Sequence, residues 1–293
     1  MRVKKVLRPY LFILPAFIFL GLFTYWPVFK SVYYSFFRWN LFTPRRTFVG
    51  FDLYREVFRD PLTWKVLKNT FQLGLETIIP SIVIGMALAL LLNRTLRGIS
   101  LFRLAVYYPS VLPTVALGAI WVFLFIPGYG LVPYYLEKLG FGQVRFLEDP
   151  RLALHAIAFV TVWKQAGYFM IFFLAGLQNI PPYLYEAALI EGAGAFQRFR
   201  YITFPLLKPI SLFVVVMALI GSVQWVDQVF IMTQDAGPFN STNILLFYIY
   251  QTAFQYWDLG KASVLTVIQV LILISGTLLA FRVFERGIYY EGA

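Results

Sequence analysis

With 293 residues, of which 60% are hydrophobic and only 13% charged, the chain is far more apolar than a soluble domain, where charged residues make up about a quarter. Its net charge of +11 would suggest nucleic-acid binding in a soluble protein, but the basic residues flank apolar runs and form no aromatic-interleaved groove, so headgroup contact and topology account for them. Zero cysteines exclude disulfides, a thiol nucleophile and a cysteine metal site, and one histidine, His155, cannot build a histidine metal cluster.

Apolar runs near or above the ~20 residues that cross a hydrocarbon core fall at about 10–29, 70–93, 104–126, 153–180, 207–233 and 262–284. They predict six spans. All six are expected to be helices, because lipid-exposed backbone must satisfy its hydrogen bonds within the segment and no run shows the two-residue alternation of a barrel. The fold class is therefore all-α integral membrane, one domain over 1–293 without a soluble module. The first run lacks a small-residue cleavage pattern after it and reads as a retained span. It follows Arg2, Lys4, Lys5 and Arg8, and no acidic residue precedes Asp52. Between the first and second runs, 52–58 and 60–68 read as short amphipathic pieces at the outer surface. Glu76, near the end of the second run, is a weaker candidate for a polar route, with an interfacial position as the competing account. Pro15, Pro80, Pro109 and Pro113 lie inside runs and predict kinks.

An even number of spans places both termini on one side, which the basic start marks as cytoplasmic. The basic residues divide equally between the two sides, so the short acid-free loop bearing Arg94, Arg97 and Arg103 outweighs the longer segments 30–68, 127–152 and 234–261, which are expected outside. In the fourth run Thr161, Lys164, Gln165 and Tyr168 recur at i, i+3, i+4 and i+7, giving an apolar helix one polar face. An ionised lysine at the bilayer centre costs about 2.5–3.5 kcal/mol on insertion scales. Lys164 is thus expected to face a wet cavity, a partner or the interface, with outward snorkelling as the competing account. His155, at the outer end of this run, reads as an interfacial polar residue. In the fifth run Ser222, Gln224, Trp225, Asp227 and Gln228 form a second polar cluster. Gln, Asp and Trp offer the planar polar groups and aromatic face that bind sugars, while helix–helix hydrogen bonding competes for Ser222 and Gln228.

Between these runs, 181–209 is compact, charged and punctuated by Gly and Pro. Pro181 and Pro182 can open a helix. Gly192 and Gly194 both supply permissive backbone for a turn. A second helix is expected over 195–203, ended by Pro205 and Pro209, with Phe196, Phe199 and Thr203 on one side and Gln197, Arg198 and Arg200 open to solvent or a partner.

Glu186, Ala187 and Ala188, with Gly192 four positions on and Ile202 and Pro205 beyond, resemble the EAA loop of the membrane subunits of ATP-binding-cassette importers. Phe204 stands where that family commonly has Leu, and Glu191 where it commonly has Asp. The stretches 9–40, 48–69 and 225–238 resemble carbohydrate permeases of the maltose and glycerol-3-phosphate type, so the likeness covers nearly the whole chain. It implies a six-helix permease subunit of a bacterial or archaeal cytoplasmic (inner) membrane, importing a sugar or sugar derivative delivered by an extracytoplasmic binding protein. Glycerol 3-phosphate or a related anionic polyol phosphate is the alternative cargo. The resemblance further implies a second homologous permease subunit and two cytoplasmic ATPase subunits, into which the coupling loop docks. The chain has no GxxxxGK[ST] phosphate loop, so ATP and Mg would be used by those partners and no cofactor is expected here. In the family, the polar face of the helix corresponding to the fourth run lines the sugar site.

Two other classes compete with this reading. An integral-membrane enzyme acting on lipids or polyprenols needs a convergent acid/base or metal constellation, and one histidine with scattered carboxylates offers none. An ion channel or secondary transporter is disfavoured by the missing inverted repeat.

Overall fold

The computed structural model describes residues 12–42, 45–234 and 236–284, without the side chain of Gln224; Arg2, Lys4, Lys5 and Arg8 lie outside the described residues. Helix α1 (Phe12–Tyr34) leads to two antiparallel strands, β1 (Phe37–Arg38) and β2 (Thr47–Phe48), then to α2 (Asp52–Arg59) and α3 (Pro61–Leu92). Next come α4 (Ile99–Val111), α5 (Thr114–Phe125), α6 (Leu131–Lys138), α7 (Ala153–Gln178), α8 (Pro182–Ile190) and α9 (Ala195–Leu206). The chain continues as α10 (Lys208–Gln224), α11 (Val226–Thr233), α12 (Leu245–Tyr250) and α13 (Leu259–Phe284). Among the described residues, helices α1, α3, α7 and α13 are long and apolar enough to cross a membrane; counting the bent pairs α4–α5 and α9–α10 as one span each gives six.

The class and the upper count agree with the sequence, whereas several boundaries differ. The third run is broken by a 97° bend, because Leu112 (ψ 137°) and Pro113 (ψ 132°) are extended. The proline ring excludes the helical region for the residue before it, which places the break at Leu112. The helices continue through Pro15, Pro80 and Pro109, so the kinks expected there are not breaks. In an apolar medium, losing one backbone hydrogen bond costs less than opening the helix and stranding several. The fifth run is also interrupted. Trp225 (ψ 22°) separates α10 from α11, and Leu207 (ψ −5°) separates α9 from α10 across a 65° bend. Residues 61–68 are the first turns of α3 and not a separate surface piece.

Within the described residues, 12–64 with 248–271 form one compact unit and 65–247 with 272–284 another. In the first, Leu53 and Val57 on α2 are buried, as its one-sided apolar pattern requires. Gly260 lies where any Cβ would meet the Phe37 carbonyl at 2.4 Å, so α13 begins flush against β1. Asp60 ties this unit together: Oδ1 accepts from the Leu62 N–H (2.9 Å), and Oδ2 accepts from Lys261 Nζ (2.9 Å) and the Tyr248 hydroxyl (3.1 Å). Burial pushes the Asp60 carboxyl up, but these donors outweigh it and hold the group below the ordinary carboxylate range.

The second unit is organised on α7. One face of α7 packs Ile157 and Val160 with Leu73, Leu117 and Val229; its other half packs Phe169, Met170 and Phe173 with Ala89, Leu207 and Val214. Two glycines set the closeness of approach. A Cβ on Gly167 would lie 2.1 Å from the Val106 carbonyl of α4, and one on Gly85 of α3 would lie 3.0 Å from the Ala166 carbonyl. Small residues let membrane helices gain dispersion contact where no hydrophobic drive separates protein from lipid.

Candidate functional site

The break between α4 and α5 leaves helix-end groups that must be satisfied away from water. Lys164 does this: its Nζ donates to the Leu112 carbonyl (3.0 Å) and to Thr114 Oγ1 (2.7 Å). It is half-buried, so it does not snorkel outward as an unpaired cation. Beside it on α7, Gln165, and one turn on, Tyr168, line a cavity of about 260 Å³ together with Ser110 from α4, Met217 and Gly221 from α10, and Trp225 at the α10–α11 break. Lys164 is also in this wall. Trp225 is buried and its indole Nε1–H has no hydrogen-bond partner among the described residues, an arrangement that costs about 1–3 kcal/mol when nothing satisfies the donor.

Four of the nine residues expected on a polar route, Lys164, Gln165, Tyr168 and Trp225, therefore meet at one cavity. Thr161 does not: it is fully buried and its hydroxyl donates to the Ile157 carbonyl of its own helix (2.8 Å). Ser222 likewise donates to Leu219 (2.7 Å), and Asp227 is exposed beyond the break. Gln228 is buried outside the cavity wall, with Oε1 lacking a partner among the described residues. The Gln224 side chain lies outside the described residues. The periodicity that grouped these positions missed Ser110, Met217 and Gly221. A signal for Ser110 existed in its place between Pro109 and Pro113, since broken spans line cavities; the other two look like ordinary lipid-facing residues. Glu76 and His155 pair with each other, Oε2 to Nδ1 at 2.8 Å, away from this cavity.

The second site is the 181–209 loop. Pro182 opens α8 at its first turn, and Gly192 turns the chain with φ +79°, a left-handed conformation that glycine adopts without strain. The sequence suggests the same role for Gly194, yet its φ of −67° suits any residue; it caps α9 by donating its N–H to Gln197 Oε1 (2.8 Å). Helix α9 continues through Pro205 to Leu206, past the expected stop, because a proline near a helix end can sit in the first turn of the next helical segment. The loop is anchored by Leu184, Tyr185 and Ile202, which pack on the lower α7 core, and by the Tyr185 hydroxyl, 2.9 Å from buried Thr203 Oγ1. Phe196, expected beside Thr203, is exposed, and Arg198, expected outside, is half-buried. Glu186, Ala187, Tyr183, Leu189 and Ile190 are exposed, while Ala188 and Pro205 are half-buried. The helix pair is thus anchored on one side and leaves a mixed polar and apolar face exposed.

The model of the family described as "Binding-protein-dependent transport system inner membrane component" matches residues 81–288. The sulfoquinovosyl glycerol transport system permease protein SmoG of Agrobacterium fabrum is 36% identical over 94% of this chain and 89% of its own length. The sn-glycerol-3-phosphate transport system permease protein UgpA of Yersinia pestis is 32% identical over 97% of this chain and 96% of its own. Among solved structures, a bacterial alginate ABC transporter in complex with an alginate pentasaccharide-bound periplasmic protein superposes with a TM-score of 0.85 at 22% identity, covering 97% of this chain and 96% of that one. With the coupling-loop geometry and the broken-span cavity in place, the chain belongs to the binding-protein-dependent transport system inner membrane component family: it is a multi-pass permease subunit of an ATP-binding-cassette importer.

Proposed function

We propose that this subunit carries a sugar or small polyol derivative bearing an anionic group through the cavity between α4, α7 and α10. The observation that carries this reading is the cavity wall. It presents the Lys164 ammonium, the Gln165 amide, the Tyr168 hydroxyl and the Trp225 N–H, which has no partner among the described residues. No carboxylate is among its described lining residues, although Asp227, just beyond the α10–α11 break, acts on Lys164 electrostatically. Such a donor-rich wall suits an acceptor-rich ligand, and the two aromatic residues suit a sugar face. The cargo named for the relatives, sulfoquinovosyl glycerol and sn-glycerol-3-phosphate, and the alginate of the structural neighbour are all polyhydroxylated and acidic. The subunit acts with a second homologous permease, two cytoplasmic ATPase subunits and an extracytoplasmic binding protein. ATP and Mg serve those ATPase subunits, and this chain holds no cofactor. Closure of the ATPase pair moves α8 and α9 through Glu186, Ala187, Ala188, Gly192, Ile202 and Pro205, and the spans rock about the cavity. The test is uptake by the whole complex in proteoliposomes with its binding protein, offered sulfonated, phosphorylated and neutral sugars. A charge-assisted hydrogen bond contributes about 1.5–3 kcal/mol, so acidic cargo should exceed its neutral counterpart by about tenfold or more. Equal uptake of both would sink the anionic reading.

Both termini and the 181–209 loop face the cytoplasm in this scheme, and 127–152 faces outside. The sequence has no cysteine, so Ile190→Cys and Tyr129→Cys, both at highly exposed side chains, give background-free labelling sites. An impermeant thiol reagent added to intact cells should label position 129 and leave 190 untouched. The reverse pattern would invert the topology.

A further inference from the structure

We propose that the turn between α3 and α4 seats the phosphate of an anionic phospholipid. A cleft of about 590 Å³ opens there, lined by Asn93, Arg94, Thr95, Leu96, Arg103 and Gln178. Arg103 is built into it: Nε (3.3 Å) and Nη2 (2.8 Å) donate to the Leu92 carbonyl at the end of α3. That fixes the guanidinium while Nη1 makes no hydrogen bond among the described residues, leaving two N–H groups for an incoming oxyanion. Arg94 and Arg97 are exposed, and none of the three arginines has a carboxylate partner among the described residues. Gly98, at φ +85°, turns the chain between Arg94 and Arg97 before it and Arg103 in the first turns of α4, and Arg94 and Arg103 share the cleft.

The apolar surroundings select the occupant. Leu96 in the turn and Leu101 and Phe102 at the start of α4 are exposed, at 59%, 70% and 66%. A free phosphate gains nothing from these side chains, whereas a phospholipid offers glycerol and acyl carbons directly below its phosphate. The position also fits, since α3 ends and α4 begins here, at the level where a span meets the headgroups. Basic residues at that level each favour anionic lipid by about fivefold in affinity.

The test uses the full chain in its assembled importer, purified in mild detergent and titrated with phosphatidylglycerol or phosphatidylcholine, with bound lipid counted by native mass spectrometry. Phosphatidylglycerol should bind preferentially, and the double variant Arg94→Gln, Arg97→Gln should weaken it by about 25-fold while leaving phosphatidylcholine unchanged. That variant keeps Arg103 and so keeps the α3 end satisfied. Arg103→Lys, which retains charge but loses the planar fork, should weaken phosphatidylglycerol less. Equal affinity for the two lipids, or undiminished phosphatidylglycerol binding in the double variant, overturns the proposal. Displacement of the lipid by millimolar inorganic phosphate would make this a free-anion site and overturns it too. So would unchanged lipid binding with loss of the ATPase subunits from the purified variant, which would assign the arginines to a protein interface.

Discussion

Gly192→Pro should abolish uptake while the protein still inserts and retains its core. Proline fixes φ near −65°, whereas Gly192 sits at +79° and donates its N–H to the Leu189 carbonyl at 3.1 Å. The substitution therefore removes both the turn and a hydrogen bond, and α8 can no longer present its face in register with α9. Gly192→Ala separates torsion from sterics, because nothing lies within 4 Å of the Cβ it would add. Its cost is the left-handed strain alone, about 1–2 kcal/mol, so a partial loss of uptake is expected. Glu186→Ala tests the same surface differently. Glu186 is exposed and makes no hydrogen bond or ion pair among the described residues, so its removal should leave folding untouched and weaken only ATPase docking or coupling. The readouts are uptake and binding-protein-stimulated ATP hydrolysis in proteoliposomes. Normal uptake by the proline variant would refute the coupling role.

Lys164→Met should depress transport of every cargo, and acidic cargo most. Two effects act together. Loss of the ammonium strands the Leu112 carbonyl and Thr114 Oγ1 at the α4–α5 break, at about 1–3 kcal/mol for a group left unsatisfied, whatever the substrate. Loss of the positive charge from the cavity wall adds a further penalty, about tenfold, only for an anion. Thr114→Val removes one acceptor and keeps the charge, so it should lower acidic and neutral uptake by the same modest factor. Comparing the two variants on paired sulfonated and neutral sugars isolates the electrostatic part. If Lys164→Met carried acidic cargo at the wild-type rate, the lysine would be neither a brace for the bend nor a determinant of charge.

The residues differ in how openly they declare these roles. Helix α7 is legible almost to its ends, because 153–178 is an apolar run without proline and its lysine has no cheap place to go. Its polar face is legible too, but periodicity cannot tell Thr161, which satisfies itself on Ile157, from Gln165, which faces the cavity. The break at Trp225 has no warning, since neither glycine nor proline marks it and tertiary packing sets its backbone. Gly192 and Gly194 look alike in a sequence; only the backbone angles distinguish the turn from the cap. The apolar and small wall positions on α10 carry no chemical signature, so half of the cavity becomes visible only when the helices are brought together.

Gly167 has a mechanical consequence. With the α4 backbone seated against it more tightly than any side chain would permit, α4 and α7 cannot slide or roll past one another without first separating. They behave as a single stiff beam. Compliance must then be concentrated where the helical ladder is already interrupted, at Leu112–Pro113, Leu207 and Trp225. Two of these three joints border the cavity or its lysine, and the third lies at the root of the coupling loop. If α8 and α9 take the ATPase stroke as proposed, these few joints would pass it to the cavity with little of it dissipated in bending the spans themselves.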